Sequence, residues 1–210
     1  MVSFEGVDFD TLILTFLLTY LNLESGILPR EREPCMPAQE IDLRPVTHIT
    51  TDAIGQPGKR VFYLQGWQDE RTITLIVEKI QIQSLAVGLE QFLAELYEKY
   101  SELESAGADY EEDKMRIHPP VDPLFRTGEL GLGYDVESDL VVLIARELLP
   151  EDSDPEEASV VRFWCSRAQL RALCHWGMEV ASHGRPSCPQ CGQPIDPEGH
   201  FCPKKNGHLH

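Results

Sequence analysis

Apolar and polar residues alternate through RVFYLQGW (60–67) and RTITLIVEK (71–79), and HITTDAI (48–54) before them also reads as a strand. GQPGKR (55–60) and QDE (68–70) break the alternation with turn-forming residues. Alternation rich in Thr, Ile and Val predicts strands, and a Pro-Gly pair reverses an extended chain. The period then changes. In QIQSLAVGLEQFLAELYEKYSEL (81–103), Leu85, Leu89, Phe92, Leu93 and Leu96 recur at helical spacing and predict an amphipathic helix. After the acidic stretch ESAGADYEEDKMRIHPPVDP (104–123) the same order returns. LFRTGELGLGYD (124–135), LVVLIAREL (140–148) and ASVVRFWC (158–165) read as strands, separated by VESD and PEDSDPEE. Ser166 is placed to cap a helix over RAQLRALCHWGMEVAS (167–182), with Leu170, Leu173, Cys174 and Met178 on one face. The pattern β-β-β-α is thus written twice without residue-level similarity. It predicts an α+β fold in which duplicated units form an antiparallel or mixed sheet with both helices on one face.

Three segments follow from these patterns: an N-terminal extension (1–40), the duplicated body (41–183) and a cysteine-bearing tail (184–210). The extension contains LILTFLLTYL (12–21), too short to span a bilayer and preceded by acidic residues where an export signal carries positive ones. Two readings of the first 35 residues stand side by side: a short helix on the core, or sequence upstream of a start at Met36.

Of the 210 residues, 42% are hydrophobic and 25% charged, so a real core is expected. The formal net charge of -17, from 35 acidic and 18 basic side chains, argues against a chain-wide surface for nucleic acid or anionic membrane. The excess is concentrated: residues 90–159 hold 20 acidic and 5 basic side chains, whereas 160–210 hold 3 and 6. Cys35, Cys165 and Cys174 are scattered in apolar surroundings rather than paired by spacing, which predicts a reducing, cytoplasmic compartment.

The other three cysteines cluster in CPQCGQPIDPEGHFCP (188–203). Cys188 and Cys191 form a CxxC knuckle, and Gly192 is free to take the positive φ such a turn needs. His200 and Cys202 are two apart, so an extended chain presents both on one side, and DPEG turns that chain back over the knuckle. Cys188, Cys191, His200 and Cys202 are therefore the expected ligands of a structural Zn²⁺ in a small ribbon, with His208 a rival fourth ligand.

GQPGKRVFYLQ (55–65), EKIQ (78–81), FRTGELGLGYD (125–135) and GRPSCPQCGQPIDPEGHFCPKKNGH (184–208) together resemble an uncharacterised bacterial family, domain of unknown function three-zero-nine-zero. The resemblance runs from about Ile41 to the C-terminus. It implies a start near MPAQEIDL, which favours Met36, and it implies no activity and no catalytic residues.

Other candidate chemistry is sparse. Arg60, Tyr63 and Gln65 are read as one polar strand face that Glu78 and Lys79 extend into a concave binding surface, with a plain solvated sheet face as the competing reading. Glu78 and Lys79, as adjacent strand residues, are expected to point oppositely, which disfavours nuclease chemistry. YEEDK (110–114) and PEDSDPEE lack calcium-loop spacing, GELGLG lacks the lysine of a phosphate loop, and Cys174 and His175 face apart on a helix. Two functions remain. One is a non-enzymatic adaptor whose ribbon, flanked by Arg185, Lys204 and Lys205, meets a protein or nucleic-acid partner. The other is an enzyme with a site around Arg60, Tyr63, Glu78 and Arg126.

Overall fold

A computed structural model describes residues 38–184, 188–193, 195 and 199–205, together with the backbone of Leu14 and Thr15. Most of the N-terminal segment, Cys35, Arg185 and His208 lie outside the described residues, as do the readings attached to them. The elements are β1 (Leu14–Thr15), β2 (Glu40–Leu43), β3 (His48–Ile54), β4 (Val61–Gln68), β5 (Arg71–Val77), α1 (Lys79–Lys99), β6 (Pro123–Asp135), β7 (Leu140–Glu147), β8 (Val160–Cys165) and α2 (Arg167–Ser182). The twofold β-β-β-α order predicted from periodicity is present. Strands pair in the order β2-β8-β7-β6-β5-β4-β3, and β1 pairs antiparallel with β6. Each triplet is an antiparallel meander; the joins β5–β6 and β2–β8 are parallel, so the sheet is mixed.

The sheet cannot be flat. β8 and β4 are four strand spacings apart, roughly 19 Å in a flat sheet. Yet the consecutive residues Val46 and Thr47 donate to the Trp164 carbonyl on β8 (2.8 Å) and the Trp67 carbonyl on β4 (2.7 Å). The Phe163 ring of β8 lies so close to Gly66 of β4 that a Cβ there would sit 2.6 Å from it. The sheet therefore curls until its edge strands β2 and β3, neighbours in sequence, are joined by residues 44–47. Arg44 fastens this join, stacking 4.1 Å over the Trp164 ring and pairing with Asp135.

Both helices cover the inner face and share one core with it. Leu85, Leu89, Phe92, Leu93 and Leu96 are all buried, as their spacing predicts. α2 opens at Ser166, whose hydroxyl accepts the Gln169 N–H while the Gln169 side chain accepts the Ser166 N–H. It then runs along β3: Gln169 donates to the Thr47 carbonyl (3.2 Å), and Trp176 to that of Thr51 (2.7 Å). Its buried face includes Leu170, Leu173, Cys174, Trp176 and Gly177; Met178 is 41% exposed, a correction to the predicted face. At Gly177 a side chain would collide with Ile82 of α1, which sets how closely the helices approach.

The acidic connector covers the outer face of β3–β4–β5. Gln65, fully buried, donates to Thr74 Oγ1 (2.8 Å) and the His118 carbonyl (3.1 Å), and its Oε1 accepts the His118 N–H (2.9 Å). The Thr50 hydroxyl donates to the Met115 carbonyl (2.6 Å). A side chain expected to face solvent thus clamps the connector to the sheet.

Gly66→Ala is expected to lower stability by about 1–3 kcal/mol, because the closed core leaves Phe163 no room to move aside. Phe163→Leu is expected to cost less in the Gly66→Ala background than in wild type, since it removes the clash as well as the packing. Thermal melts of the two single variants and the double variant check this. Additive losses would show that the ring and the glycine are not in contact.

Candidate metal centre

The tail is built from two short local structures. Cys188 starts a tight turn in which the Gly192 N–H donates to the Cys188 carbonyl (2.8 Å) and the Cys188 N–H donates to the Gln193 carbonyl (2.7 Å). Gly192 takes φ +76, a conformation that any side chain would strain. Around Gly199 the returning chain alternates: His200 and Cys202 turn inward and are 9% and 0% exposed, while Phe201 between them is 66% exposed.

These two pieces bring Cys188, Cys191, His200 and Cys202 together with all four donor atoms within 4.8 Å of one another. Cys188 Sγ lies 3.9 Å from Cys202 Sγ, and Cys191 Sγ 3.3 Å from His200 Nε2. A disulfide needs ~2 Å between sulfurs, so these are separate thiols. A tetrahedral ion with sulfur at ~2.3 Å and nitrogen at ~2.0 Å puts its ligands ~3.5–3.8 Å apart, and the observed spacings sit around that range. The donor set therefore fits a metal ion. It is the only such His/Cys/Asp/Glu grouping among the described residues, and neither acidic loop forms one.

The turn also prepares a thiolate. N–H groups of Cys191 and then Gln190 point at Cys188 Sγ and hold its pKa down, at about 6. Cys191 moves the other way: the Gln193 N–H pulls it down, but burial and the neighbouring Cys188 and Cys202 sulfurs outweigh that and raise it. Cys165 and Cys174 are buried in the body, where desolvation pushes both thiols up, Cys174 to about 12. They are core residues, and His175 beside Cys174 is exposed.

The residues of the predicted sheet-face site divide between two places. Tyr63 and Gln65 share one face of β4, and the alternation that puts them there puts Arg60 with Phe62 on the other, its guanidinium 5.5 Å from the Phe62 ring. Glu78 and Lys79 are not strand residues. The chain leaves β5 at Val77, Glu78 caps α1 and Lys79 is its first residue, so the two adjoin rather than oppose. Arg60, Glu78 and Lys79 line one cleft of about 470 Å³ with Phe62, Met178 and Gly184, and Glu78 is paired with Arg126. Sequence reasoning missed Met178 and Gly184. Only Gly184, opening the family-like GRPSC stretch, carried any signal.

The chain belongs to the family described as Protein of unknown function (DUF3090), whose model matches residues 41–202 and so takes in both units of the body and all four candidate metal ligands. No curated protein and no solved structure matches it.

After a chelator strips the site, Cys188 is expected to be the first cysteine alkylated by iodoacetamide. Its rate should rise through about pH 6 instead of the ~8.5 of an ordinary thiol, because reactivity follows the thiolate fraction. Cys165 and Cys174 should react only on unfolding. Peptide mapping across a pH series reads all of these, and a Cys188 rate following an ordinary thiol would contradict the N–H arrangement at the turn.

Proposed function

We propose that this member of a family of unknown function is a cytoplasmic, non-enzymatic zinc protein whose tail presents a rigid contact surface to a protein partner. The observation that carries this reading is the completeness of the donor set. Four protein ligands leave a tetrahedral ion no open position for water or substrate, the arrangement of structural rather than catalytic sites. Three thiolates and an imidazole in a tetrahedral array favour zinc over the hard cations that prefer oxygen. Among the described residues every cysteine is a free thiol, the state a reducing compartment preserves.

What the metal holds outward is Phe201. Its neighbours on both sides are ligands, so the exposed ring is presented with little freedom to lose on binding, and buried aromatic anchors dominate protein interfaces. Lys204 is also exposed nearby and extends the reading to an acidic rim on the partner. A nucleic-acid partner is less well supported, since the chain's net charge of -17 opposes a polyanion. Of the residues named for the enzyme reading, Arg60 and Glu78 line one cleft and Arg126 pairs with Glu78, while Tyr63 is not in that lining. No helix among the described residues is long and apolar enough to cross a membrane.

Native mass spectrometry is expected to show one zinc ion per chain, absent in the Cys188→Ser/Cys191→Ser variant. That variant should melt within a few degrees of wild type, because the body has its own core. A partner recovered with wild type from its host should be lost from this variant and from Phe201→Ala. Retention by both would defeat the adaptor reading, and a chain without zinc would defeat the choice of metal.

A further inference from the structure

The cleft beside the root of the tail has a charge arrangement that the adaptor reading does not use. Lys79 Nζ and Arg60 Nη2 lie 3.6 and 3.7 Å from the point where any side chain at Gly184 would begin. Two cations thus converge on one small volume. Among the described residues Arg44, Arg126, Arg162, Arg167 and Arg171 each hold a carboxylate. Among the described residues Arg60 and Lys79 hold none, in a chain with 35 acidic side chains. The one carboxylate in the lining, Glu78, is taken by Arg126. Arg60 Nη1 donates to the Val180 carbonyl (3.3 Å), which steadies the guanidinium and leaves Nη2 facing the cleft.

Like charges held together repel, and an anion between them removes that cost. Lys79 is the first residue of the 21-residue α1, and Glu78 before it caps the helix and accepts the Gln81 N–H, so the attraction comes from the two side chains. Phe62, Met178 and Ala181 line the rest of the cleft, and its volume of about 470 Å³ is within the range of small-molecule sites. We propose that this cleft binds a small phosphomonoester, with the phosphate dianion between Arg60 and Lys79 and an apolar or aromatic body against Phe62 and Met178. The fork of Arg60 and the point charge of Lys79 match a doubly charged group better than a carboxylate. Gly184 leaves the space that the phosphate fills.

Phenyl phosphate and benzoate, titrated into the full-length zinc-loaded protein by calorimetry, test this. Phenyl phosphate is expected to bind saturably, and benzoate at least 10-fold more weakly. Lys79→Gln and Arg60→Gln should each weaken phenyl phosphate on the order of 10-fold, the effect of removing one charge-assisted hydrogen bond. Arg71→Ala, an exposed cation outside the cleft lining, should leave it unchanged. Gly184→Leu keeps both cations and blocks the space between them, so it should abolish binding even if Arg60→Gln proves unstable in a melt. The Cys188→Ser/Cys191→Ser variant should still bind phenyl phosphate, which separates this site from the metal. No saturable binding, equal binding of benzoate, or binding that survives Gly184→Leu would overturn the proposal.

Discussion

The contact between Phe163 and Gly66 is the constraint from which the arrangement of both sites follows. It holds β8 against β4 across a sheet that connectivity alone would leave open, at a position where only glycine leaves room for the ring. Once β8 is there, α2, which begins one residue beyond it at Ser166, has to lie along β3. The far end of α2 then arrives beside the start of β4 and the start of α1. Arg60 and Lys79 come from those two starts, and Gly184 from the end of α2. The cleft is thus a consequence of how the sheet closes, and so is the point from which the tail departs.

Local patterns made much of this legible in the sequence, and long-range ones hid the rest. The six strands of the two units and both helices follow from residues within a few positions of each other, so periodicity found them to within about two residues, except that α1 ends at Lys99, four residues before the predicted Leu103. β2 escaped because Glu40–Leu43 has only two buried positions, Ile41 and Leu43, and its partner β8 lies 120 residues away. Gln65 was misread for a related reason. Alternation says which face a residue occupies, but not that a connector rich in charge will cover that face and use the amide as its anchor. Glu78 and Lys79 were misplaced by extending a strand two residues too far, which reversed the relation between their side chains.

The two candidate sites differ in the same way. The candidate metal ligands were readable because CxxC and HxC each fix their geometry within four residues and lie close together in sequence. The cleft was unreadable because it needs Arg60, Lys79 and Gly184 at one point, and no spacing rule links residues so far apart in sequence. Met178 shows the cost of treating helical spacing alone as burial: it fits the core face by periodicity, but it is partly exposed and lines the cleft instead.

Energetically the tail and the body are separate. The body buries a continuous core without help from residues 188–205, so metal binding has only the tail to organise. This separation suits the proposed contact module, whose surface would change with metal occupancy while the fold behind it would not. The two are nevertheless joined where coupling would be felt. Gly184 borders the cleft, and Cys188 follows four residues later. Anything held between Arg60 and Lys79 therefore touches the residue from which the tail leaves the body. If the proposed partner binds the tail and such a ligand alters that affinity, the partner must alter the cleft's affinity for the ligand by the same factor, since coupling between two binding sites is reciprocal.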